Sequence, residues 1–121
     1  MRQGSTPRAL RRATPWALAL AAHYAPLTAL RLRDAAAIDA DWAHAHGVGV
    51  LAPRAAPSAN AQSQWQALPA DAAGYAHELY AALRALDARG LHEIWVQSPP
   101  AGTDWDAVRD RLRRAAHGAG R

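Results

Sequence analysis

The sequence predicts an α/β fold, a small three-layer domain with a mostly parallel sheet flanked by helices. Three observations carry this. Strand-like runs alternate with helix-period stretches from Thr28 to Ala116. Val48-Gly-Val-Leu-Ala52 is apolar throughout, as a strand covered on both faces must be. The order strand, helix, strand, short strand, helix, strand, helix, with right-handed crossovers, leaves a Rossmann-like sandwich as the simplest topology.

Residues 1–22 read as a basic N-terminal arm. In His23-Tyr24-Ala25-Pro26 the proline keeps Ala25 out of the helical region, so the segment runs extended. Thr28–Arg33 alternates, with Leu30 and Leu32 on one face of a strand. Asp34 suits an N-cap, and a helix is expected to about His46, with Ile38 and Trp42 on one stripe and Gly47 as its stop.

Val48–Ala52 is the second strand, and residues 53–63, rich in Pro, Ser, Asn and Ala, form a loop. Gln64–Leu68 alternates like a short edge strand that Pro69 ends. Asp71 caps the clearest helix, where Tyr75, Ala76, Leu79, Tyr80, Leu83 and Leu86 recur at helical spacing before Gly90. Core packing is expected for Tyr75 and Tyr80, with hydroxyls at the rim. Glu93–Gln97 is a strand, Ser98–Gly102 a proline-rich turn, and Asp104 the expected cap of a last amphipathic helix carrying Trp105, Val108, Leu112 and Ala115.

Charge divides the chain. Residues 1–33 hold six arginines and no acid, while residues 34–121 hold eight arginines against ten acids. The basic arm is read as a solvated terminus rather than an RNA contact. Arg11-Arg12 before the apolar stretch Trp16–Ala22 imitates a secretory signal, but nothing downstream asks for an oxidising compartment, and a cytoplasmic protein is expected. The stretch is too short to span a bilayer, so no membrane partner is expected. With no cysteine, disulfides and thiolate metal sites are excluded.

Chemistry-bearing patterns are few. No glycine-rich phosphate loop follows the first strand, where Arg33-Asp34-Ala35 stands instead. His44 and His46 are two apart, on different helix faces, and His77, His92 and His117 are scattered, so no metal set is expected. Asp87, Asp104 and Asp110 fit helix surfaces and caps better than a paired-carboxylate site. Pro99-Pro100 sits where open parallel sheets bind ligands, but reads more simply as a rigid turn. No catalytic or cofactor-binding residue is assigned.

Tyr80-Ala-Ala-Leu-Arg-Ala-Leu-Asp87, Gly90, Glu93-Ile-Trp-Val-Gln-Ser-Pro-Pro100 and Trp105–Ala116 together resemble the C-terminal end of two-domain L-threonylcarbamoyladenylate synthases. Upstream, His23-Tyr24-Ala25-Pro26 with Thr28 and Leu30-Arg31-Leu32 resembles the linker that joins that family's YrdC-like catalytic domain to its small C-terminal domain. The resemblance covers roughly residues 22–117, with 23–33 as interdomain-type linker and first strand and 34–121 as the rest of a Rossmann-like C-terminal domain.

The resemblance implies a module that assists synthesis of threonylcarbamoyl-AMP from ATP, bicarbonate and threonine, for threonylcarbamoyl modification of adenosine in tRNA. It implies a YrdC-like catalytic domain as partner, in cis or in trans. ATP and Mg are implied for the parent enzyme, and none in this chain, which lacks that catalytic domain and is not assigned an enzyme activity of its own. His23, Tyr24 and Pro26 become substrate-proximal linker residues. Tyr24 has two readings: its ring covers a bound adenylate in a neighbouring cleft, or it anchors the linker on this domain against Leu27 or Leu30. The alternative function is a free-standing regulatory or small-ligand-binding module on the same fold.

Overall fold

A computed structural model describes residues 24–120. Strand β1 (Ala29–Arg33) leads to α1 (Ala35–Trp42), then β2 (Val48–Ala52) and β3 (Gln64–Ala67). Helix α2 (Ala72–Asp87), β4 (Glu93–Gln97), a 3₁₀ turn (Thr103–Trp105) and α3 (Asp106–Gly118) complete the order. The four strands form one sheet in the order β1-β4-β2-β3, and every pairing is parallel.

Alternation along the strands sorts the core into two layers. Leu30, Leu51, Ile94 and Val96 face Tyr75, Leu79, Leu83, Leu86, Val108 and Leu112 of α2 and α3. Val48, Val50, Ala52 and Trp95 face Ile38 and Trp42 of α1 on the other side. The sandwich therefore has three layers, one helix against two. β2 is buried along its whole length, which explains why its sequence shows no polar alternation.

Helix α1 ends at Trp42, about one turn earlier than the sequence suggests. The Asn60 side-chain amide donates to Trp42 O at 2.7 Å and to Ala45 O at 2.9 Å, satisfying carbonyls that a longer helix would have used. Gly47 is not the helix stop. It has φ +66° and threads between loop and strand: its N–H donates to Gln62 O at 2.8 Å and its carbonyl accepts from His92 N at 2.7 Å. A Cβ there would lie 2.5 Å from His92 Cδ2.

Asp71 does cap α2, accepting from Gly74 N at 2.8 Å. Asp104 does not cap α3, because the helix is entered through the 3₁₀ turn and Trp105 stands at its N-cap. Arg109 ties the preceding turn instead, donating to Pro100 O at 2.5 Å and Gly102 O at 2.8 Å and pairing with Asp106. Tyr75 also departs from expectation. It is 1% exposed and packs edge-on against Trp105. Its hydroxyl is buried with no hydrogen-bond partner among the described residues, and that burial pushes its pKa up.

The linker clasp, a candidate functional site

In an open parallel sheet the usual ligand crevice lies where neighbouring strands send their helices to opposite faces. Here that point is the C-terminal end of β1 and β4, since α1 covers one face and α3 the other. The protein fills it with its own side chains. Arg33 stacks over Trp95, 4.5 Å from the ring centroid, and pairs with Asp41 at 2.8 Å. Arg54 donates through Nε to Gln97 Oε1 at 2.6 Å and places Nη2 2.9 Å from Asp39 Oδ1, an ion pair without hydrogen-bond alignment. Ser98 N donates to Arg33 O and closes the strand ends.

The polar convergence lies elsewhere, where the linker meets the last turn of α2. Asp87 receives four donors from one short stretch of chain. The Tyr24 hydroxyl donates to Oδ2 at 2.7 Å, and Leu27 N donates to the same oxygen at 3.1 Å. Thr28 N and Thr28 Oγ1 donate to Oδ1 at 2.9 and 2.8 Å. Burial pushes the Asp87 carboxyl up, but these donors outweigh it and hold its pKa below the usual value. Tyr24 shifts the other way: burial first, then the bond to Asp87, raises its pKa.

Packing reinforces the polar clasp. The Tyr24 ring meets Tyr80 edge-on at 5.3 Å, and Arg84 lies over the Tyr80 ring at 5.7 Å. Pro26 is fully buried, and its carbonyl accepts from Gly120 N at 3.1 Å, beyond the end of α3. Gly118 lets α3 approach the linker so closely that a Cβ there would lie 2.9 Å from Ala25 Cβ. The linker thus runs between the C-terminal ends of two helices. An open hollow of about 490 Å³ lies beside it, lined by Tyr24, Ala25, Leu27, Arg84, Asp87 and Ala88. Leu27 is 78% exposed, the one large apolar side chain standing mostly in water among the described residues.

Of the site residues the sequence singles out, the structure brings Tyr24 and Pro26 together in the clasp, and His23 lies outside the described residues. Tyr24 is anchored on this domain by Tyr80 and Asp87, against the core layer that contains Leu30. Asp87 is the residue that sequence reasoning missed. Its signal was present: a carboxylate on the last residue of α2 opposes the negative end of the helix dipole and calls for donors from elsewhere.

No set of three or more His, Asp or Glu among the described residues is placed to hold a metal ion. Asp39 and Asp41 are paired with arginines, Asp34 and Asp71 cap helices, and Asp87 is saturated by the linker. These carboxylates are thus committed to partners within this domain.

The family model described as threonylcarbamoyl-AMP synthase, C-terminal domain, matches residues 18–117. The matched span begins within the stretch read as the arm and includes the whole clasped linker. No curated protein and no solved structure matches the chain.

Proposed function

The chain belongs to the family of threonylcarbamoyl-AMP synthase C-terminal domains, and on that basis we propose that it is a non-catalytic module that holds the interdomain linker for a YrdC-like catalytic domain. That partner, in cis or in trans, would join ATP, bicarbonate and threonine into threonylcarbamoyl-AMP for tRNA modification in the cytoplasm. The observation that carries the reading is the convergence of four linker donors on Asp87. A carboxylate that holds Tyr24, Leu27 and Thr28 fixes where the linker stands on this domain, and so where a neighbouring cleft would meet it.

Pre-ordering has an energetic use. Fixing the backbone of a residue costs about 1–2 kcal/mol. A linker already ordered on this domain does not incur that cost again when it closes over a substrate cleft. Leu27 then has a role too: held outward by the clasp, it offers an apolar contact to the catalytic domain.

The reading is tested by titrating a YrdC-like domain with this chain and measuring association by calorimetry. Leu27→Asp is expected to weaken binding about tenfold or more, the order expected for losing one buried leucine contact, while the melt of the chain stays unchanged. Binding that ignores Leu27, or no binding at all, would count against it. No helix among the described residues is long and apolar enough to cross a membrane.

A further inference from the structure

The sheet has two edges, and they are treated differently. β1 carries Arg31 and Arg33, charges that discourage strand addition. β3 reads Gln64-Trp-Gln-Ala67 and carries none. Leu68 N donates to Ala52 O at 2.8 Å, so by ladder alternation Gln64 and Gln66 turn their backbone groups toward β2. Trp65 and Ala67 then turn their N–H and C=O groups out of the sheet.

Beside this edge runs a groove against α2. One hollow of about 250 Å³ is lined by Gln64, Gln66, Ala85 and Arg89, and a second of about 200 Å³ by Gln66, Glu78, Ala81 and Ala85. The two share Gln66 and Ala85, so they are continuous. Opposite charges stand at the two ends: Arg89, which donates to Gln64 Oε1 at 2.5 Å, and Glu78, near Leu68. The stripe between them on α2 is alanine, small enough to let another helix approach.

We propose that the β3 edge is a docking surface for a second copy of this chain, paired antiparallel about a two-fold axis at Gln66. Self-complementarity is what selects a second copy. With Gln66 on the axis, Trp65 faces Ala67 of the other copy, and the outward backbone groups of each satisfy the other's in four hydrogen bonds. The same operation lays the two copies of α2 side by side through Ala81 and Ala85. It also sets Glu78 of each copy toward Arg89 of the other, twice over. A parallel partner strand, related by an axis along β3, would instead carry the second α2 to the opposite face of the sheet and leave Glu78 and Arg89 without these partners. The pairing makes one eight-stranded sheet whose outer edges are the arginine-bearing β1 strands.

Sedimentation equilibrium of the 121-residue chain tests this. A dimer dissociating in the micromolar range is expected. Glu78→Arg and Arg89→Glu, both exposed substitutions, are each expected to weaken it about tenfold or more, because two ion pairs become two repulsions. Combining both substitutions restores the opposite signs and is expected to restore the dimer, with the melting curve checked for each variant. A chain monomeric at concentrations on the order of 100 μM would overturn the proposal, since association that weak has no use for four hydrogen bonds and two ion pairs. A dimer unaffected by either single reversal would overturn it as well. Single reversals that weaken the dimer without rescue by the double would rule out the antiparallel register. A monomer whose β3 amides gain exchange protection only when a YrdC-like domain is added would assign the edge to that domain and overturn the self-association.

Discussion

The Tyr24 hydroxyl donates to Asp87 Oδ2 across 2.7 Å, although 63 positions separate the two residues in the chain. That bond joins the start of the linker to the end of α2, the longest helix described. Thr28 and Leu27 hold the same carboxylate from the other side, so the linker is gripped at both ends of the five-residue stretch.

Removing the receiver should cost more than removing any one donor. Asp87→Ala leaves two backbone N–H groups and two hydroxyls without their partner. A loss of about 2–3 kcal/mol is expected, since hydrogen bonds to a charged group contribute about 1.5–3 kcal/mol and this one is partly exposed. Urea unfolding of the chain measures it. Tyr24→Phe keeps the edge-on contact with Tyr80 and removes one donor, so about 1 kcal/mol is expected. A Phe variant as damaging as Asp87→Ala would mean that the hydroxyl, not the carboxylate, organises the clasp.

The clasp has a pH signature whose sign is fixed by Asp87. Its folded pKa lies below that of an ordinary carboxylate, so the unfolded chain takes up the proton first as pH falls. The stabilisation is therefore fully present above the ordinary carboxylate range and is lost as pH drops through the depressed folded value. Melts of the wild type and Asp87→Asn should differ at pH 7 and converge in acid, below about pH 4. A difference that stays constant to pH 2 would contradict the assignment.

Tyr24 of the linker packs against the helix core. Leu83 is 4% exposed and packs in the layer formed by α2, α3 and the sheet. Leu83→Ala is expected to cost about 2–5 kcal/mol. A denaturant midpoint shift equivalent to less than half a kilocalorie would show that α2 presents a different face.

Gly118 gives a steric test of the linker's path. A Cβ there would stand 2.9 Å from Ala25 Cβ. Gly118→Val should displace the linker and quench the contact between the two tyrosines, detectable as a change in near-ultraviolet circular dichroism, while α3 itself remains helical. Unchanged spectra would mean that the linker does not pass the end of α3.

Most elements were legible because each carried its own local signal. Ile38 and Trp42 marked the face of α1, Tyr75 to Leu86 that of α2, and the unbroken apolar run of Val48–Ala52 a doubly covered strand. What stayed hidden depends on residues distant in sequence. The end of α1 is fixed by Asn60, in a loop some fifteen residues on. The start of α3 is shaped by Arg109 reaching back to Pro100 and Gly102. The strand order, with β4 between β1 and β2, cannot be read from any one segment. The site followed the same rule. His23-Tyr24-Ala25-Pro26 was conspicuous as a motif, whereas Asp87 was one acid among several on helix surfaces, distinguished only by its unfavourable place at a helix C-terminus.

One rate measures whether the clasped linker serves a catalytic domain. A YrdC-like domain is supplied with ATP, bicarbonate and threonine, and pyrophosphate release is followed without this chain, with it, and with its Asp87→Asn variant. No release is expected from the chain alone, faster release when it joins the catalytic domain, and loss of most of that gain with Asp87→Asn at a temperature where the variant is folded. Equal stimulation by the wild type and Asp87→Asn, or none by either, would contradict that role.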